Sequence, residues 1–278
     1  MIIIKHIYLS ADRHSISSDN AYTYEKLIND INYIKEKFAN ITLFSIGKSI
    51  EGRQLFAIKI GSGSRKLLIC GAHHGMEWLT SKICIEFAKE LCMLSCLSTS
   101  VYIVPMLNPD GVEIASCGFK WQANARGVDL NHNYDALWSL SRMTEHTLGI
   151  TAPCASRYGG AFPESEPESH ALASFTRENH FDAVFALHSQ GEVIYYDFCG
   201  IIPKKTEEYL TRFEASSSYL REIPTGTAVY GGFKDWFIRC FRKPGFTIEV
   251  GIGKNPLPLS DFESVYNGVR GILWEAVR

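Results

Sequence analysis

The chain has 278 residues, 46% of them hydrophobic and 21% charged, with a formal net charge of -2. This is an ordinary globular balance, long enough for one large α/β domain or two small ones. It gives no support to a nucleic-acid binder, whose Lys and Arg would crowd one face.

The opening "MIIIKHIYLS" is apolar, but Lys5 and His6 interrupt it and it shows no secretory cleavage site. No window approaches the ~18 uncharged residues of a membrane helix. The sequence therefore predicts a cytoplasmic chain. Residues 22–38 carry apolar positions at helical spacing. "ITLFSIGKSIEGRQLFAIKIG" alternates on both sides of a Glu-Gly turn and predicts a hairpin. "RKLLICGA" is a buried strand ending at Gly71, and Thr80 and Ser81 stand ready to cap the helix "SKICIEFAKELCML". "SVYIVPML" is a further strand, closed by the turn "NPDG".

From about Ser116 to Glu168 the pattern is irregular, which in a compact domain marks the region that builds a site. Residues 166–179 then predict a helix with Pro167 in its first turn. "FDAVFALHSQG" and "EVIYYDF" predict strands, 204–221 a helix, "GGFKDWFIRCF" a helix, "PGFTIEVG" a strand and 260–277 a last helix. Helices alternate with short apolar strands, so the fold class is α/β: one domain over 1–278, a mixed twisted sheet with helices on both faces.

Eight cysteines are present and no CxxC. They read as small buried apolar side chains in a reducing compartment, with a Cys117–Cys154 bridge left open.

The chemistry concentrates in a few places. In "GAHHGMEW", a His and Glu77 follow a buried strand, and His188 ends another. Imidazole and carboxylate are zinc ligands, and a catalytic zinc takes three from the protein. In open α/β sheets functional residues gather at the carboxyl ends of strands. The pattern HxxE alone is more often a solvated turn, and a strand-end His is more often a hydrogen-bonded core residue. Spacing does not separate His73 from His74. His6, His14, His146, His170 and His180 lie in polar contexts and read as surface residues.

Taken in order, "YTYEKLINDI", "IGKSIEGRQLFAIKIG", "GAHHGMEW", "NPDG", "ARGVDLNHN", "LHSQG" and "FTIEVG" resemble the zinc carboxypeptidases across nearly the whole chain. The resemblance implies a carboxypeptidase A-like fold and one zinc on His74, Glu77 and His188. It makes Glu249 the general base and acid, Arg126 the oxyanion stabiliser and Asn131 a substrate-carboxylate ligand. Two departures stand out. Digestive members follow the Asn with an Arg that grips the C-terminal carboxylate, and here that residue is His132. They also place a Tyr four residues before a Gly-Gly pair, and here Thr227 stands there, with Tyr230 displaced.

"HSQGEVIYY", "GGFKDWFI" and "TIEVGIGKNPLP" are similar to bacterial γ-D-glutamyl-diamino-acid peptidases. That implies hydrolysis of the γ-D-glutamyl–diaminopimelate (or diamino acid) bond of murein-derived peptides. A conventional metallocarboxypeptidase and an inactive peptide-binding relative are the alternatives.

Overall fold

The computed structural model describes residues 11–278; Lys5, His6 and the rest of the opening stretch lie outside the described residues. Eight strands form one mixed sheet: β1 (Ile41–Lys48), β2 (Gln54–Ile60), β3 (Arg65–Cys70), β4 (Thr99–Val104), β5 (Ala183–His188), β6 (Val193–Tyr195), β7 (Leu220–Glu222) and β8 (Gly245–Glu249). Their spatial order is β1-β2-β4-β3-β5-β8-β6-β7. The centre, β4-β3-β5-β8, is parallel; β1 pairs antiparallel with β2, β2 with β4 and β6 with β8, while the edge strand β7 runs parallel to β6.

The helices are α1 (Tyr24–Lys37), α2 (Trp78–Cys92), α3 (Pro109–Ser116), α4 (Trp138–Thr147), α5 (Pro167–Asn179), α6 (Thr206–Ser216), α7 (Phe233–Phe241) and α8 (Phe262–Val277). Alternation along the central strands divides the core between the two faces. Leu67 and Ile69 of β3 join the cluster that packs α1, α2, α6 and α8. Leu68 and Cys70 join the opposite cluster, with Leu172 of α5 and Trp236 of α7.

Several elements differ from the sequence expectation. "NPDG" opens α3: the Asn108 side chain accepts from Gly111 N–H, with Pro109 in the first turn. The helix α2 begins before Thr80 and Ser81. Thr80 instead takes Ala72 N–H and donates to Glu77 O, locking the turn between strand and helix. The irregular middle contains α4. The helix expected over 204–221 stops at Ser216, and its tail becomes β7.

All eight cysteines are free, so no Cys117–Cys154 bridge forms. Cys70, Cys84 and Cys92 are buried as expected, but Cys96, Cys117, Cys199 and Cys240 are exposed. His14 is half-buried, its Nε2 at 2.9 Å from Ala115 O, whereas His146, His170 and His180 are exposed.

Candidate active site

Three strand ends converge. The chain leaves β3 into a tight turn, His73 to Glu77, that leads into α2. A Cβ at Gly75 would lie 2.2 Å from Gly111 O, so only glycine lets this turn press against α3. Asn108 Nδ2 donates to the carbonyls of His73, Gln122 and Ala123, tying turn and following loop together. His188 is the last residue of β5 and pairs in register with Glu249, the last of β8.

The turn presents His74 and Glu77 to His188. His74 Nδ1 is 2.9 Å from Glu77 Oε1, His188 Nδ1 is 3.0 Å from Glu77 Oε2, and the two Nδ1 atoms are 3.3 Å apart. All three residues offer ligand atoms within 4.8 Å of one another. Two imidazoles and a carboxylate form a donor set that suits zinc. Behind it, His74 Nε2 sits 3.1 Å from Asp129 Oδ1, the carboxylate partner a ligating histidine usually has. His73 turns away: its Nε2 faces Tyr134 Oη at 3.3 Å, and its ring stacks on His188. The structure thus separates the adjacent histidines and brings only His74 to the cluster.

Electrostatics follow the geometry. Burial would lower the His74 imidazole, but the Glu77 and Asp129 carboxylates outweigh it and raise it. Burial would raise Glu77, yet His74 and His188 bring it down to about 2. Burial and the Glu77 charge push Glu249 up to about 8. Burial and the two neighbouring histidines lower His73, which stays neutral.

These groups open on a cavity of about 200 Å³, lined on one side by His74, His188 and Glu249. That is below the usual 300–1,000 Å³ or so of a small-molecule pocket, so the space suits one residue rather than a long segment. The facing wall is loop, and it includes Gln122, Asp129, Asn131, His132 and Arg157.

Asp129 organises that wall. Its Oδ1 accepts from Asn131 N–H at 3.1 Å and its Oδ2 from Arg157 N–H at 2.8 Å. Asn131 Oδ1 accepts from Phe233 N–H, the first amide of α7, at 3.0 Å. The backbone donor identifies that atom as the oxygen, so the Asn131 amide NH₂ is left for the cavity. His132 Nδ1 lies 3.1 Å from Ser141 Oγ and 3.5 Å from the buried Glu145.

Arg126 does not reach the cavity. Its N–H bonds Asn124 Oδ1, and its guanidinium lies 3.6 Å from Glu166 with half the side chain exposed. The turn 124–127 aims it outward. The arginine that lines the cavity is the exposed Arg157, and Gln122 lies on the same wall; both were missed from sequence because neither sits in a distinctive pattern. Asp129 was missed too, although it lies two residues before Asn131 in "VDLNHN". Thr227 lines the cavity; Tyr230 is absent from its lining.

Residues 27–268 match the family described as zinc carboxypeptidase. The γ-D-glutamyl-L-diamino acid endopeptidase 1 of Lysinibacillus sphaericus is 31% identical over 92% of this chain and 72% of its own length. Among solved structures, bovine thrombin-activatable fibrinolysis inhibitor superposes with a TM-score of 0.73 over 94% of this chain and 97% of its own, at 22% identity. The murein-tripeptide amidase of Escherichia coli O157 gives 0.57 over 81% and 88%, also at 22% identity. These two structures share the fold.

Proposed function

Because the chain belongs to the zinc carboxypeptidase family, whose members are metallopeptidases and hence hydrolases, we propose that it cuts the γ-D-glutamyl–diamino acid bond of peptidoglycan-derived peptides. The proposal assigns one zinc per chain to His74, Glu77 and His188, within a single catalytic unit. Bound there, zinc would lower the pKa of a water from about 16 to near 7 and polarise the scissile carbonyl. Glu249 takes the proton of the attacking water and returns it to the departing amine. Asn131 offers its amide to a substrate carboxylate. Arg157 takes the oxyanion role first expected of Arg126, because it is the arginine among the residues that line the cavity.

The observation that carries the substrate reading is at position 132. A guanidinium holds a free α-carboxylate with two parallel charged hydrogen bonds. The His132 imidazole has Nδ1 committed to Ser141 and Glu145, which leaves a single nitrogen for any ligand. A plain C-terminal residue is therefore held weakly, whereas a diamino acid brings further charged groups to grip. The Lysinibacillus relative, named for that bond, points the same way. Asn131 is the feature that favours the second reading, a conventional carboxypeptidase. Convergence of His74, Glu77, His188 and Glu249 argues against an inactive binder. The proposal sets the protein in the cytoplasm, where eight free thiols stay reduced; among the described residues no helix is long and apolar enough to cross a membrane.

The test is to incubate zinc-loaded protein with L-Ala-γ-D-Glu-meso-diaminopimelate and with a panel of C-terminal L-peptides, and to identify products by mass. Cleavage after D-Glu is expected to dominate. Equal release of ordinary C-terminal residues would overturn the reading.

A further inference from the structure

The α7 side of the cavity holds a feature the catalytic assignment does not use. Lys234 and Asp235 both line the cavity, yet each residue is only 3% exposed. They are ion-paired to one another. Lys234 Nζ also donates to Asp197 O at 2.5 Å. Buried ion pairs contribute little to stability, since desolvation offsets most of the attraction. A buried pair on the wall of a cavity is better explained by what it meets there.

The donors and acceptors do not balance within the protein. An ammonium has three N–H groups, and Lys234 commits two, to Asp197 O and Asp235. Asp197 is buried, and its Oδ1 has no hydrogen-bond partner. Asp235 Oδ2 approaches Gly232 so closely that a Cβ there would lie 2.4 Å away, so the glycine is what admits this carboxylate at the start of α7. The group holds one cation and two carboxylates, a net charge of -1. Burial raises the Asp235 carboxyl, and Lys234 draws it back only in part.

We propose that Lys234 and Asp235, with Asp197 behind them, read a zwitterionic amino-acid head, ammonium and carboxylate on one carbon, at the far end of the residue whose amine is released. The ligand ammonium meets the Asp235 carboxylate, with the Asp197 charge behind it, and the ligand carboxylate takes the remaining Lys234 N–H. Diaminopimelate carries such a head; lysine carries the ammonium alone. A bare carboxylate would meet two like charges, and an uncharged end would cover the pair without satisfying it. This rests on the proposed function and narrows its diamino acid to the zwitterionic kind.

The zinc-loaded enzyme is given L-Ala-γ-D-Glu-X, where X is meso-diaminopimelate, L-lysine (no distal carboxylate) or 2-aminopimelate (no distal ammonium). The same three residues are offered in an α-linked L-Ala-L-Ala-X series. In the wild type kcat/KM for diaminopimelate should exceed each analogue by about 30-fold or more, the scale for removing one partner of a buried charge pair. Lys234→Met should erase the advantage over lysine, and Asp235→Asn the advantage over 2-aminopimelate. Should either single variant fail to fold, the neutral double variant Lys234→Met/Asp235→Leu should fold and lose both preferences. Wild-type rates within threefold across the three residues, or variants that keep the ranking, overturn the inference. Turnover confined to the α-linked series sinks the γ-glutamyl reading, while the ranking of X still decides the role of the pair. No turnover in either series overturns both.

Discussion

The cavity has two walls of different construction. His188 and Glu249 stand on adjacent parallel strands in register, and His74 follows a third strand. Main-chain ladders set His188 and Glu249, while His74 sits in the turn that Thr80 and Asn108 fasten to the end of β3. The facing wall, from Trp121 to Tyr134 with Arg157 beyond it, has no ladder. It hangs on side chains that bond main-chain groups: Asn108, Asn124, Asp129 and Asn133. Under the proposed function the first wall would hold the groups that handle a metal and a proton, and the second those that meet a substrate. A ladder fixes position without regard to side-chain identity, so reagents placed on it are robust; a loop fixed by a few carboxamides can be re-aimed by single substitutions.

The strongest test of this contrast removes ligands from the strand wall. His74→Ala should abolish metal binding, measured as zinc per chain, and with it turnover. Asp129→Ala, one step behind the ligand, should weaken metal affinity by about 10–100-fold. His73→Ala should leave zinc bound, because His73 faces Tyr134 rather than Glu77. Loss of zinc in His73→Ala with retention in His74→Ala would reverse the assignment. Next comes Glu249→Gln, which keeps shape and removes the base. Zinc should stay while kcat falls about 100-fold or more; near-wild-type kcat would exclude Glu249.

A comparison of two arginines addresses the loop wall. Arg157→Ala should lower kcat about 100-fold or more with little change in KM, as removal of an oxyanion donor does. Arg126→Ala, half-exposed beside Glu166, should stay within about twofold, the scale of exposed ion pairs. The opposite result would mean that the 124–127 turn swings inward when substrate binds.

The same contrast explains what the sequence disclosed. Strand ends were legible because buried strands are short apolar runs, which placed His188 and a histidine after β3; spacing left His73 and His74 unseparated, and Glu249 was named through the family resemblance. Residues on the loop wall were likewise named through the family resemblance, and of these Arg126 does not line the cavity. Nothing in "ANARGVDLN" shows that Asn124 takes the N–H groups of Arg126 and Val128 and turns the guanidinium away. The helix α4 was invisible for a related reason: its buried residues are Ser141 and Glu145, so it has no apolar stripe to read. The start of α3 was readable, since Asn108 before Pro109 is a capping signal, but "NPDG" fits a turn equally well.

The last prediction concerns what holds the loop wall in place. Glu168 is fully buried, accepting from Ile50 N–H at 3.0 Å and from Asn124 Nδ2 at 3.2 Å. Burial raises its pKa from 4.5 to about 7, despite the hydrogen bonds that favour its charged form. A carboxyl raised on folding binds its proton more tightly in the native state. Its contribution to stability is therefore fully present below pH 4.5 and is lost as pH rises to about 7. The loss amounts to about 3 kcal/mol at most, from about 1.4 kcal/mol per pKa unit. Glu168→Gln has no proton to lose, so its stability relative to wild type should climb between pH 4.5 and 7 and then level off. Denaturant midpoints of both proteins across that range provide the measurement, and constant offsets from the substitution cancel in the difference. Glu249, also raised, is common to both proteins and drops out. Parallel curves would show that Asn124 rests on an ionised Glu168 at no cost, and that the loop wall is as indifferent to pH as the ladder facing it.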